Sequence, residues 1–462
     1  MRKLSVLDLA FFAAESDNSP KHVAGLWLCR KPAKAPANFA LNLVEKLKQQ
    51  DNIGEPFNLV ISFLGWKGPH WVESTDLSLA DHVFYHRPGK AISWKQAKNL
   101  VCELHEPMLD RAKPLWEFHL IDGIRGRKFA VYMKLHHAYA DGMTMASWMS
   151  SCLSENPDSH AARAVWNPPP ARRETGPDNV FQLGKTMRGL TRQSWAQILA
   201  TGGIAKITAQ QLLERAGITH SAVSVPFSSK RDTRLTGNAS PGRSLATASV
   251  SMERVKRICR ATRSTLNHVA LTCIDGALHS YLEDCGTVLD HPITIQMPVN
   301  LRKEGDDKSG NKVGIVLVEL AQPTDDPFVR LREIGFTLRN VRNQIDGVPG
   351  SAIEQYSILA GTFGELIEKL RLSDRLPTNG YTLVSNVPGP KKRLYLNGAE
   401  VEELYPISAL SPGLLMNITL ISYAGDLEFG LVATHDLEQL DSLAQYIEDE
   451  FEELENAVFN PV

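Results

Sequence analysis

The chain has 462 residues, 43% of them hydrophobic and 22% charged, with a formal net charge of −2. That length exceeds what one hydrophobic core ordinarily supports, so two domains are expected. The balanced charge argues against a nucleic-acid partner, and six scattered cysteines, lacking zinc spacing or disulfide density, read as reduced core thiols of a cytosolic protein.

The first fifteen residues, "MRKLSVLDLAFFAAE", imitate a signal peptide. Asp8 interrupts the apolar stretch, however, and Glu15 stands where small cleavage-site residues belong. No apolar run approaches the ~18 residues that cross a bilayer. The protein is therefore expected in the cytoplasm, not spanning a membrane but able to lie on one. His22 to Cys29 reads as a strand, Ala40 to Gln49 as an amphipathic helix, and Ser93 to Met108 as helical. Leu115 to Asp122 is extended, Lys128 to His136 a strand, and Met143 to Leu153 a helix. From Glu155 to Asn179 the chain is rich in Pro, Ser, Arg and Asn, and Pro168 to Pro170 can continue neither a helix nor a central strand.

A basic helical stretch follows from Val180 to Ala216, with Lys185, Arg188, Arg192, Lys206 and Arg215 against the single acid Glu214. With Trp195 as an interfacial anchor it fits a lipid surface, and it fits equally a crossover helix packed on both domains. Beyond Arg243 the alternation resumes, with strands at 245–252, 293–299, 314–320, 381–387, 416–423 and 427–434. Helices are expected at 251–262, 266–281, 327–344 and 437–454. Strands and helices mingle without a regular βαβ cadence, which favours an α+β layered sandwich within the α/β class. The parts are a domain at 1–160, a linker at 161–243 and a domain at 244–462.

The stretch "LHHAYADG" at 135–142 carries the candidate chemistry. If the strand runs through residue 137, His137 shares the apolar face of Phe129, Val131, Met133 and Leu135, and His136 falls on the mixed face. An imidazole in apolar surroundings stays neutral and suits a general base; a satisfied core histidine is the plainer reading. Asp141 is placed to cap the following helix or to pair with a cation. Gly142 permits a conformation or close approach that a side chain would block. Adjacent strand residues point to opposite faces and no further ligand cluster accompanies them, so no metal is expected.

The histidine pair followed by Asp-Gly resembles the signature of the superfamily of chloramphenicol acetyltransferase, carnitine acyltransferases and peptide-synthetase condensation domains. Pro114-Leu115-Trp116, "PVNLR" at 298–302, Gly310-Asn311, "SNVPGP" at 385–390 and "LDLAFFAAE…HVAGL" near the start accompany it. Together they resemble the bacterial wax ester synthase/acyl-CoA:diacylglycerol acyltransferase family over essentially the full chain. The resemblance implies two chloramphenicol-acetyltransferase-like domains with a tunnel at their interface. It implies His137 as general base, His136 as support and Asp141 as a structural residue bracing Arg302. It also implies an acyl-CoA donor, with a fatty alcohol or diacylglycerol as acceptor. The CoA thioester is then a substrate, and no cofactor, metal or nucleic acid is required. Insoluble substrates give such an enzyme reason to touch a membrane or lipid droplet.

One departure from the family pattern is Asn267-His268, where Asn-Asp is usual; Asn267 is a candidate donor to the thioester carbonyl or, alternatively, a helix cap. No G-x-S-x-G elbow exists for an acyl-serine intermediate. Ser385 is a second carbonyl-donor candidate, and Lys391, Lys392 and Arg393 are candidates for the CoA phosphates or a solvated loop. The small residues Ala360, Gly361 and Gly364 are expected to wall a substrate channel. The competing functions are a carrier-protein-dependent acyltransferase or condensation domain, and a non-catalytic lipid carrier.

Overall fold

The computed structural model describes residues 2–4, 6–63, 68–160, 162–167, 227, 229, 233–300, 313–346 and 350–460. The first part of the chain holds strands β1 (Arg2–Lys3), β2 (His22–Arg30), β3 (Leu59–Ser62), β4 (His70–Glu73), β5 (Val83–His86), β6 (Trp116–Ile124) and β7 (Lys128–His136). Among them run α1 (Val6–Ala14), α2 (Phe39–Lys48), α3 (Trp94–His105) and α4 (Gly142–Ser151). The later part holds β8 (Arg243–Ser251), β9 (Thr294–Asn300), β10 (Val313–Glu319), β11 (Thr382–Val387), β12 (Tyr395–Leu396), β13 (Ala399–Ile407), β14 (Met416–Tyr423) and β15 (Asp426–Thr434). Its helices are α5 (Met252–Thr262), α6 (Leu266–Asp284), α7 (Pro327–Asp346), α8 (Gly350–Lys369) and α9 (Leu440–Phe459).

Two mixed six-stranded sheets carry the fold, in the orders β12-β13-β2-β7-β6-β5 and β10-β9-β11-β14-β15-β8; a small third sheet joins β1, β4 and β3. Helix ends follow local chemistry. Ser93 and Gln96 form a capping box at the start of α3, and Thr265 and His268 form another at α6. Strand β2 is buried from His22 to Cys29 because both faces of its sheet are covered. Phe129, Val131, Met133 and Leu135 enter one core of the first sheet, while Ala130 and Tyr132 enter the other. That is the two-residue alternation expected of β7.

The second core centres on α6, whose Val269 to Leu278 are all buried. A third cluster joins the halves, setting Leu26, Val101 and Tyr132 of the first against Tyr405, Ile407 and Val432 of the second. Each fully buried side chain of this size contributes about 1.5–3 kcal/mol.

The division at residue 244 is crossed by β12 and β13. Strand β13 pairs antiparallel with β2, from Glu400 opposite Arg30 to Ile407 opposite Ala24, and so completes the first sheet from the far end of the chain. Its Pro406 lies so close to β15 that a Cβ on Gly430 would collide with the Pro406 carbonyl. The first unit also extends past residue 160, since Trp166 is fully buried and stacks on Trp116 with ring centroids 5.3 Å apart. The rest of the expected linker, including the basic stretch 180–216, lies outside the described residues.

Strand β2 exposes a long apolar edge once β13 is removed, and such edges aggregate. A fragment of residues 1–243 is therefore expected to be insoluble or to lack a cooperative thermal transition. Co-expression with 244–462 should restore one, as followed by circular dichroism.

Candidate active site

Strand β7 ends at His136, and the chain then turns, with Tyr139 N–H donating to the His136 carbonyl at 2.9 Å. The turn is held from two sides. The N–H of His136 donates to the Leu115 carbonyl, and the N–H of His137 donates to the Lys21 carbonyl, each at 2.9 Å. Leu115 N–H in turn donates to the Tyr139 hydroxyl at 2.9 Å. Trp116, wholly buried, donates its indole N–H to the Phe57 carbonyl at 2.8 Å. The Pro-Leu-Trp segment is thus the back wall of the histidine turn.

Two aromatic residues face the two histidines. Phe11 stacks on His137 with centroids 4.3 Å apart, and Phe12 stacks on His136 at 4.4 Å. His136 is fully buried; its Nδ1 accepts from Ala138 N–H at 3.1 Å, which leaves the proton on Nε2, 3.5 Å from Glu15 Oε1. Glu15 also accepts from Lys21 N–H at 3.3 Å and from Arg111 Nη2 at 2.8 Å. Lys21, itself buried, pairs with Glu365 of α8 at 2.7 Å. Helix α1, the segment before β2, and α8 are therefore tied to the histidine turn by charge and by ring contact.

His137 is the less buried of the pair, which corrects the placement expected from strand parity. Alternation is a property of extended backbone, and β7 stops one residue short of it. Its Nδ1 is covered and bonds no other residue, with only its own backbone carbonyl acting on it. With a proton on Nδ1, Nε2 is the nitrogen that carries the lone pair. Burial pulls the His137 pKa below the ordinary value, opposed by its own carbonyl and by Asp141 and Asp8. Burial pushes His136 down to about 3, helped by the neighbouring His137 and Arg111. Both rings are neutral near pH 7.

Asp141 caps α4, its Oδ1 accepting from Thr144 N–H at 2.8 Å. Arg302, its expected partner, lies outside the described residues. A Cβ on Gly142 would meet only Val387 Cγ2, at an ordinary 3.5 Å, so the expected steric need for glycine there is not found among the described residues. That contact instead places the start of α4 against the end of β11, the "SNVPGP" strand. Within that motif Gly389 is required, because a Cβ would collide with the Ser422 carbonyl.

The profile of the wax ester synthase/diacylglycerol acyltransferase catalytic domain matches residues 4–270, and that of the family's C-terminal domain matches residues 309–455. The chain belongs to this family. A Mycobacterium tuberculosis protein designated a diacylglycerol O-acyltransferase is 31% identical, covering 98% of this chain and all of its own length. The O-acyltransferase WSD of Acinetobacter baylyi is 30% identical over 99% of this chain and 98% of its own. The wax ester synthase/diacylglycerol acyltransferase of Marinobacter aquaeolei VT8 superposes with a TM-score of 0.76 at 26% identity, covering 99% of this chain and 100% of that one. A condensation domain of the calcium-dependent antibiotic synthetase matches with a TM-score of 0.59 at 13% identity, over 100% of this chain and 96% of its own, and shares the fold alone.

The remaining residues predicted from the family's motifs divide. Thr265, not Asn267, caps α6, and His268 fills the third helical position of its capping box, with Nδ1 accepting from Thr265 N–H at 3.4 Å. Asn267 Oδ1 accepts from Asn386 Nδ2 at 2.7 Å, beside Val387, and its own amide hydrogens have no partner among the described residues. Ser385 shares the face of β11 that carries Val387. Arg393 is committed elsewhere, donating to the Glu402 carbonyl at 2.5 Å and lying over the Tyr423 ring, and Lys392 pairs with Glu155 at 2.5 Å. This leaves Lys391 exposed as a phosphate candidate. Ala360 and Gly361 line a cavity of about 70 Å³ with Ile315, Leu317 and Tyr356; His137 is not in its lining. Among the described residues no group of three or more His, Cys, Asp or Glu is placed to hold a metal ion, and no helix is long and apolar enough to cross a membrane.

Sequence reasoning missed Lys21 and Arg111, and it quoted Phe11, Phe12 and Glu15 within a motif of the family resemblance without giving them a place at the histidines. Burial also lowers the pKa values of His22 and His105 well below the ordinary ~6.5. The unfolded chain therefore takes up protons just below that pH which the folded chain refuses, and stability falls as pH falls. The melting temperature is expected to drop between about pH 7 and pH 5; scanning calorimetry at both values checks it, and an unchanged value would contradict this burial.

Proposed function

We propose that this chain is an acyl-CoA-dependent O-acyltransferase, forming a wax ester from a long-chain alcohol or triacylglycerol from diacylglycerol. One observation carries the reading: a neutral, partly buried His137, backed by Phe11, in a turn clamped on both sides. Nε2 takes the hydroxyl proton as the alcohol oxygen attacks the thioester carbonyl. The tetrahedral oxyanion collapses, the C–S bond breaks, and CoA leaves as a thiolate that recovers the proton from the imidazolium. Asn267 is assigned the carbonyl-donor role, since its Oδ1 is engaged and its N–H groups bond nothing among the described residues.

Both substrates meet in a passage between the halves, and no covalent enzyme intermediate or further cofactor is needed. The protein works in the cytoplasm, resting peripherally on a membrane or lipid droplet. A lipid carrier would not require a base, and a carrier-protein-dependent enzyme would not accept free acyl-CoA.

Purified chain with palmitoyl-CoA and a fatty alcohol is expected to release CoA only when the alcohol is present. His137→Ala should lower kcat by about 10²–10⁴-fold; wild-type chain that leaves both substrates unchanged would refute the activity. Ala360→Leu is expected to shift the preferred acyl chain towards shorter lengths, measured by competition between acyl-CoAs. Unchanged selectivity would remove Ala360 from the channel wall.

A further inference from the structure

Towards its end helix α8 turns Glu365 and Glu368 inward and leaves apolar groups outside. Glu365 pairs with buried Lys21, and Glu368 is half-buried near Lys21 and Arg243. Outside, Phe363, Leu366 and Leu370 are 53%, 51% and 59% exposed, and their spacing of three and four residues sets them on one stripe. Phe227 touches one edge of that stripe, its ring 5.1 Å from Phe363. Where the helix ends, Arg371 takes a φ of 52° and the chain turns back. Arg371 and Arg375 then line a polar cavity of about 340 Å³ with Asn18, Asn238 and Ser240, whose Oγ is buried and without a hydrogen-bond partner. The acid on this rim, Asp374, accepts from Asn238 N–H at 3.0 Å; Asp17, adjacent in sequence to Asn18, is exposed.

An apolar stripe followed by guanidinium groups at a polar cavity matches one kind of surface. Phospholipid presents acyl chains to the first and headgroup phosphates to the second. The adjoining face of the same helix carries Tyr356, Ser357 and Ala360 of the small apolar cavity, so a lipid surface here would lie beside the channel wall.

We propose that α8 docks the protein on an anionic phospholipid surface, with Phe363, Leu366 and Leu370 in the acyl layer and Arg371 and Arg375 on headgroup phosphates. The proposal deepens the acyltransferase reading, on which its purpose rests. It places the docking surface on α8, whereas the sequence offered 180–216 equally as a lipid-facing or a crossover segment.

Full-length protein is floated with vesicles of phosphatidylcholine alone and of phosphatidylcholine mixed with phosphatidylglycerol. Wild type is expected to bind the anionic vesicles. The pair Arg371→Gln/Arg375→Gln should weaken this about thirtyfold, from roughly 1 kcal/mol per basic residue. Phe363→Ser/Leu366→Ser/Leu370→Ser should abolish it. Circular dichroism and turnover of a short-chain, water-soluble acyl-CoA and alcohol pair should match wild type, which separates lost docking from lost folding. Wild type that ignores the vesicles, binds both kinds equally, or keeps its affinity in these variants would overturn the proposal. So would loss of binding only on replacing Lys185, Arg188 and Arg192. Failure of wild type to turn over the soluble pair would instead count against the acyltransferase reading.

Discussion

The amide hydrogens of His136 and His137 are taken by carbonyls on opposite sides, Leu115 at the head of β6 and Lys21 at the head of β2. A turn at the end of a strand ordinarily frays. This one is fixed because the strands flanking β7 each lend it a carbonyl from just before their own first residue. Ring orientation follows from backbone position, and the two phenylalanines of α1 then settle against the two imidazoles. The Pro-Leu-Trp and His-His motifs, twenty residues apart in the chain, are one physical unit.

Charge binds α1 to that unit. Glu15, Arg111, Lys21 and Glu365 form two ion pairs joined through the Glu15–Lys21 backbone contact, and the Glu15 and Lys21 side chains are almost wholly buried. Breaking a buried pair by removing one partner costs on the order of 3–5 kcal/mol, because the other charge is stranded. Such a network does little for net stability but permits few alternative placements of the helix. That rigidity suits a base whose nitrogen must meet a hydroxyl within hydrogen-bond reach.

The two sheets are joined by exchange. Strand β13 leaves the later part of the chain, covers the edge of β2 and passes over Gly430 of β15, so neither half presents a complete surface without the other. The junction where Gly142 meets Val387 and Asn267 meets Asn386 depends on this interlocking. Relative placement of the halves is therefore part of the site's construction.

Much of this was legible in the sequence. The alternation in β7, the buried run of β2, the apolar length of α6 and the cap at Asp141 are consequences of local period and composition, and all appear where expected. Strand β13 was illegible because a bulge between Val401 and Glu403 breaks its two-residue period and Pro406 mimics a loop. Helix α8 hid behind small residues whose use is to leave a cavity, which no periodicity reports.

The sequence by itself determined which chemistry is available: two neutral imidazoles, a capped helix after them, and no nucleophile elbow. Only the tertiary structure decided that His136 is the more enclosed ring and His137 the less buried one. It also decided that Arg393 serves β13, and that Glu15 belongs to the site. Burial and partnership are set by chain segments far apart in sequence, and local pattern carries no record of distant neighbours.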